Sequence, residues 1–377
     1  MKFFPPLSII LLLAACNPAT VDTTNYPAPD RAAYRLAGKS ISHDTLFSYE
    51  DIIWGFTWLP DGSVIATEKS GKLLHIVNGK ETEIEGAPAV YDNGQGGLLD
   101  VSLHPNYAEN GWLYLVYSKP AETGQGGNTA LARAQLQDDR LANFEVLYNG
   151  EPNTTKPYHF GSRIAWKDGK LYFGIGDRGE RDVNPQDTSR DGGKIYRLND
   201  DGSIPTDNPF VGVNGAKEAI YSYGHRNPQG LAYNSFTDEI WEHEHGPRGG
   251  DEVNVIEAGK NYGWPVITYG INYNGTQITQ EQSRAGMEQP LHYWVPSIAP
   301  SGMAFVTGDK YPGWEGDLLV GSLKFLYLKH VMLEDGEVVG EEKLLPNIGR
   351  VRDVRVGPDG YIYASLEGTV IVRLLVK

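Results

Sequence analysis

Past about residue 45 the chain alternates short aromatic and β-branched runs with clusters of Gly, Asp, Asn and Pro, and shows almost no helical periodicity. One unit recurs: an apolar residue, a Pro-Asp-Gly-like turn, an alternating strand, a Gly and a second strand. It reads TWLPDGSVIATEKSGKLLHIV from Thr57 to Val77, SLHPNYAENGWLYLVYS from Ser102 to Ser118, and IAWKDGKLYFGIGDRG from Ile164 to Gly179. A looser copy, LAYNSFTDEIWEHEHG, runs from Leu231 to Gly246, and two more start at Thr307 and Val356. No copy is large enough to bury the faces of its own strands, so the copies must pack on one another. A β-sandwich would bury the same alternation, but six small units suit a ring with short, protected edges. The pattern therefore predicts an all-β fold, a six-bladed β-propeller over 45–377. Its uneven spacing puts insertions in the loops between copies, where binding residues collect.

The first residues, MKFFPPLSIILLLAAC, set one Lys before an apolar run too short to span a membrane, and predict a signal peptide over 1–15. The tetrad Leu13-Ala14-Ala15-Cys16 resembles the bacterial lipoprotein box, and Cys16 is the only cysteine, so a lipid anchor on Cys16 is expected. The other reading is an ordinary signal peptide with an incidental Cys. Residues 16–44, rich in Pro, Thr, Ala and Asp, read as a lipidated Cys and flexible tether. Asn17 stands where inner-membrane retention uses Asp, which points to a periplasm-facing outer-membrane lipoprotein of a Gram-negative bacterium. A formal charge of −15 argues against nucleic acid or anionic membrane surfaces as partners. Arg and Lys that cluster locally in so acidic a chain suggest a small anion as ligand.

The densest chemistry lies between Tyr221 and Trp264, which holds three His, two Arg and several carboxylates near turn-forming Asn-Pro and Gly-Pro pairs. Burying that many polar groups is costly unless they bind one another or a ligand. Arg226 and Asn227 suit carboxylate and carbonyl oxygens. Gly246 and Pro247 lie in a turn whose carbonyls suit Ca²⁺, and Glu252 with Tyr262 offers a second such site. Upstream, His159 lies between Tyr158 and Phe160 directly before the third copy, where it could serve as a base near its own pKa. Asp177, at a strand end in GIGDRG, could orient it. Gln95 in GQGGLLDVSLHP, Lys324 in GSLKFLYL, and Arg350 with Arg352 in GRVRDV complete the candidates. The two arginines share one strand face, which is unfavourable unless an anion lies between them. Each has a plainer reading alone: a solvated amide, a structural His, an Asp turn, a charged strand edge.

Taken together and in order, GQGGLLDVSLHP, YFGIGDRG, SYGHRNPQGLAY, HGPRGGDEVN, NYGWP and GRVRDV resemble the PQQ-dependent soluble aldose sugar dehydrogenases, relatives of soluble glucose dehydrogenase, over roughly 45–377. The resemblance implies a six-bladed propeller that oxidises aldoses at C1 to lactones, with hydride passing to PQQ. It makes His159 the base and Asp177 its orienter. Gln95, Arg226, Asn227, Tyr273, Lys324, Arg350 and Arg352 would hold PQQ, while Gly246, Pro247, Glu252 and Tyr262 would hold Ca²⁺. No Cys-x-x-Cys-His haem motif is present, so an external electron acceptor is expected, with the protein a monomer or weak dimer. A calcium-dependent lactonase-type hydrolase and a non-catalytic binding propeller are the alternatives. The cation set argues against the first, since a hydrolase has no tricarboxylate to neutralise.

Overall fold

The computed structural model describes residues 40–368 and 370–376. The signal peptide, Cys16 and most of the predicted tether lie outside them. The described residues form six four-stranded antiparallel sheets and one short helix, Tyr107–Asn110. Five sheets take consecutive strands, over residues 53–84, 98–149, 164–223, 228–294 and 300–344. The sixth combines Val351–Val356, Ile362–Leu366 and Val370–Val376 with the N-terminal strand Ile41–Ser48 as its outer edge. The innermost strands touch one another cyclically, the last against the first, so the sheets close into a ring. The predicted six-bladed propeller is borne out, and each sequence copy falls in its own blade.

Burial follows from this ring. The strand Val64–Glu68 is buried at every position because a neighbouring blade covers each face, whereas the outer strand Lys80–Ile84 is mostly exposed. Six hydrophobic cores fill the six gaps between blades. The gap between the sixth and first blades includes Phe47 from the N-terminal strand, packed with Phe56, Ile371 and Tyr363. That strand starts at Ile41, so four residues assigned to the tether belong to the propeller. Its hydrophobic partner across the closure fixes it there.

Strand direction separates the two faces. The Pro-Asp-Gly-like turns that define the repeats all lie on one face, where the innermost strands end. The other face carries the starts of those strands and the ends of the second strands. Ile41 pairs with Val376, which sets the beginning of the N-terminal strand on the turn face. Arg163 locks the opposite end of the axis. Its guanidinium pairs with Asp100 and Asp353 and donates to the carbonyls of Gln229 and Arg352, tying four blades together.

Candidate active site

Every predicted site residue lies on the face where the innermost strands begin. Two cavities open there, of about 830 and 710 Å³, within the range of small-molecule sites. They share Gln95, Pro247 and Tyr273 as a common wall, so they form one cleft with two compartments.

The smaller compartment holds His159. Its backbone has φ 59°, unusual for a non-glycine residue, and several neighbours hold it so. Its N–H donates to Gln95 Oε1 (2.7 Å). Buried Arg178 grips the same segment, donating to the carbonyls of Tyr158 and Lys156 and stacking on Phe160 at 3.4 Å. A Cβ on Gly176 would come within 2.5 Å of the His159 carbonyl, so only glycine admits the segment here. His159 Nδ1 lies 2.6 Å from Asp177 Oδ1, which leaves Nε2 free to face the cavity. Asp177 is almost fully buried; its Oδ1 also accepts from the Gly179 N–H and its Oδ2 from Trp264 Nε1 (2.9 Å). Burial pushes the Asp177 pKa up, but His159, Arg226 and the Trp264 N–H together hold it below the usual carboxylate range. For His159, burial and the Arg226 charge lower the pKa and outweigh the opposing effect of Asp177. The pair is thus a neutral imidazole held by a carboxylate, poised to accept a proton.

The larger compartment is lined by Lys69, Arg248, Lys324, Arg350 and Arg352, with Glu367 its one carboxylate. Five cations against one lining carboxylate make it positive within a protein of formal charge −15, although Lys69 also pairs with Asp92 just outside the lining. Trp54 and Phe160 add flat apolar walls. The anion inferred to lie between Arg350 and Arg352 is internal: both arginines donate to Glu367, Arg352 from Nε at 2.8 Å. Lys324 has no carboxylate partner among the described residues.

Arg226 and Asn227, also predicted to hold the cofactor, do not line the larger compartment. Arg226 lines the His159 compartment instead, where it donates to the carbonyls of His245 (2.7 Å) and Gly246 (3.0 Å) and lies 5.3 Å from the Trp264 ring. Asn227 is fully buried and lines neither compartment; its Oδ1 accepts from the Gly161 N–H, while its Nδ2 has no protein partner. It supports the His159 segment from below.

The predicted metal residues separate likewise. Pro247 faces the cleft, whereas the Gly246 carbonyl is held by Arg226, so a cation there would have to share or displace that bond. Glu252 and Tyr262 line a small buried cavity with Glu244. The Tyr262 hydroxyl is engaged by Val255 and Glu257, which leaves its main chain rather than its phenol for a ligand. Around this cavity stand Glu242, Glu244 and Glu252. Burial and mutual repulsion drive the pKa values of Glu242 and Glu252 well above normal, and burial raises that of Glu244. Glu242 Oε1, His225 Nδ1 and Asn254 Oδ1 lack partners, and His225, Glu242 and Glu244 each offer a ligand atom within 4.8 Å of the others. Unpaired buried carboxylates are stable only protonated or beside a cation.

Sequence reasoning missed Glu242, Glu244 and His225, although WEHEHG carried a signal: Glu and His alternate in a strand buried on both faces. It also missed Arg178, Trp264, Lys69, Arg248 and Glu367. Trp264 arrives on the long connection between Asp251–Ile256 and His292–Trp294, which bonds to the end of the third blade through Trp264 N and Gly224 O (2.8 Å).

A model of the glucose/sorbosone dehydrogenase family matches residues 50–372. The aldose sugar dehydrogenase YliI of Escherichia coli (strain K12) is 41% identical over 342 residues, covering 88% of this chain and 91% of that protein. The crystal structure of the soluble aldose sugar dehydrogenase from Escherichia coli in its apo form superposes with a TM-score of 0.85 at 38% identity, covering 89% of this chain and 99% of that one. The PQQ-bound aldose sugar dehydrogenase from Streptomyces coelicolor superposes with a TM-score of 0.74 at 26% identity, over 90% and 98%. A ring of six blades, a buried His159–Asp177 pair in a cleft and a family match across nearly all described residues agree: this chain is an oxidoreductase of the glucose/sorbosone dehydrogenase family.

Proposed function

We propose that the protein oxidises aldose sugars at C1 to lactones, using PQQ and Ca²⁺ and passing electrons to an external acceptor. The observation that carries this reading is the join between a five-cation compartment and a pocket holding a neutral imidazole paired with a carboxylate. The cations and flat walls suit a planar quinone with three carboxylates, and the PQQ-bound Streptomyces relative supports that cofactor. Bound there, PQQ would supply an ortho-quinone that accepts hydride, its carbonyl polarised by Ca²⁺. Lys324, Arg350 and Arg352 would neutralise its carboxylates, with Gln95 and Tyr273 at its rim. His159 Nε2 would take the proton of the anomeric hydroxyl, and Asp177 would stabilise the imidazolium that results. Arg226 would keep the base neutral before the sugar reacts, with Asn227 supporting the segment beneath. Calcium would draw on the carbonyls of Gly246 and Pro247. The buried carboxylates near Glu252 and Tyr262 support a second cation.

Lipid anchorage at Cys16 in the periplasmic face of the outer membrane belongs to the same proposal. The N-terminal strand begins on the face opposite the cleft, so a tether leaving from there would keep the cleft accessible.

Reconstitution tests the reading. Apoprotein supplied with PQQ and Ca²⁺ should reduce a dye acceptor when glucose or another aldose is added. Dye that stays oxidised with every aldose, at saturating PQQ and Ca²⁺, would exclude it.

A further inference from the structure

Asp177 is held by more than the residue it orients. One carboxylate oxygen meets His159 Nδ1 at 2.6 Å and the Gly179 N–H at 2.7 Å; the other accepts from Trp264 Nε1 at 2.9 Å. Trp264 comes from a different blade connection, 87 residues further along the chain, and its ring is only 6% exposed. Arg226 lies 5.3 Å from that ring, and Gln186 donates to the Trp264 carbonyl at 2.8 Å. The indole is therefore clamped at its backbone and face while its N–H points at a nearly solvent-free carboxylate. A hydrogen bond from a fixed donor to a buried charge fixes the orientation of that charge and weakens it as an acceptor for its other partners.

We propose that Trp264 is a positioning residue for the base: its indole N–H sets the angle and acceptor strength of Asp177, and through Asp177 the orientation of His159 toward the sugar. The inference rests on the reading of His159 as base. The charged and titratable groups nearest His159 are Asp177 and Arg178 from its own blade, Arg226 and His245 from the fourth, and Tyr158 beside its ring; the same compartment is also lined by the ion pairs Lys156–Glu180 and Arg181–Asp182. Trp264 adds the one uncharged donor on Asp177 that a single substitution can delete without changing any of those charges.

The test is Trp264→Phe, which keeps a ring and removes the N–H. Asp177 then becomes a stronger acceptor for His159 Nδ1–H, so the His159 pKa rises, by about half a unit for the loss of one charge-assisted bond. In the apoprotein, ¹⁵N NMR of the His159 ring reads that shift without cofactor or sugar. In the reconstituted enzyme the acid limb of kcat/KM moves up with it. Turnover falls about tenfold at the plateau, as for loss of an orienting outer contact, while PQQ affinity and KM hold within a factor of two. Trp264→His, which retains a ring N–H, should move the limb part of the way back. An unshifted His159 titration in Trp264→Phe overturns the proposal. If that variant does not fold, the wild-type apoprotein decides: the Trp264 indole ¹H–¹⁵N signal must shift with the same midpoint as His159, and an indole indifferent to that titration is equally fatal. Inactivity of the wild-type holoenzyme on all aldoses would instead strike the proposed function, since the NMR readouts need no turnover.

Discussion

Glu367→Gln probes the electrostatics of the larger compartment. Glu367 follows the strand Ile362–Leu366 and is 11% exposed, while its partners Arg352 and Arg350 are 14% and 49% exposed. The amide keeps the shape of the side chain and deletes its charge. Two partly exposed ion pairs are lost and two guanidinium groups are left facing one another, a cost of about 1–2 kcal/mol in the apoprotein and a fall of a few degrees in Tm. Toward an incoming carboxylate the effect reverses. A negative charge about 7 Å away, at an effective dielectric of about 20, opposes entry by roughly 2.4 kcal/mol, reduced to about 1 kcal/mol by physiological salt. The variant should therefore bind PQQ about fivefold more tightly than the wild type while being less stable without it. Fluorescence titration of apoprotein with PQQ at two ionic strengths measures this, and the advantage should shrink at high salt. Burial raises the pKa of Glu367, but Arg352 and Arg350 outweigh it and hold the folded value below the ordinary one, so its stabilising contribution is present above that ordinary value and lost as pH falls. The Tm gap between wild type and variant should close in acid accordingly. Weaker PQQ binding in Glu367→Gln would refute the reasoning, because Glu367 would then serve the cofactor by ordering the arginines more than it opposes the cofactor by charge.

The remaining predictions follow the base, the cation site and the ring closure. His159→Ala should keep PQQ bound and lose about 10²–10⁴-fold in turnover, measured by stopped-flow reduction with saturating sugar. Because burial and Arg226 lower the His159 pKa, kcat/KM should be flat above pH 6.5 and fall only as pH drops below it, through protonation of the base; a limb above 6.5 would contradict this. Calcium should raise Tm, by the equivalent of about 2.7 kcal/mol at a hundredfold excess over Kd, and Glu252→Gln or Glu244→Gln should blunt that response in a calorimetric titration. Phe47→Ala, in the gap closed by the N-terminal strand, should cost about 3–5 kcal/mol by chemical denaturation without altering the cleft.

The fold was legible because its repeated element is local. Each Pro-Asp-Gly-like turn and the strands beside it lie within some twenty residues, so hydrophobic alternation alone counted the blades. The chemistry lies on the other face, in the irregular segments between copies, and its legibility was uneven. His159 and Asp177 stood out because each adjoins a recognisable strand. Their closeness, 18 residues apart in sequence, arises because Ile164–Lys167 and Lys170–Ile175 form one hairpin that returns the chain to the same face. Partners drawn from other blades left no local mark. Trp264 sits in a long connection of the fourth blade and meets Asp177 only because neighbouring blades pack together, while Glu367 reaches Arg350 and Arg352 through the hairpin of the sixth blade. Arg226 was assigned to the cofactor through the family resemblance, and nothing in the sequence indicated that its guanidinium also holds the carbonyls of His245 and Gly246. The anion between Arg350 and Arg352 was inferred on sound electrostatics and proved to be a side chain of the protein itself.

Equilibrium titration of apoprotein with PQQ in the presence of Ca²⁺ tests the central claim most directly, with Lys324→Ala/Arg352→Ala run alongside. The account predicts one equivalent bound tightly by the wild type and an affinity at least a hundredfold lower (~2.7 kcal/mol) in the double variant, since two of the cations facing the cofactor are gone. Equal affinity in both proteins, or no saturable binding to the wild type, would contradict it.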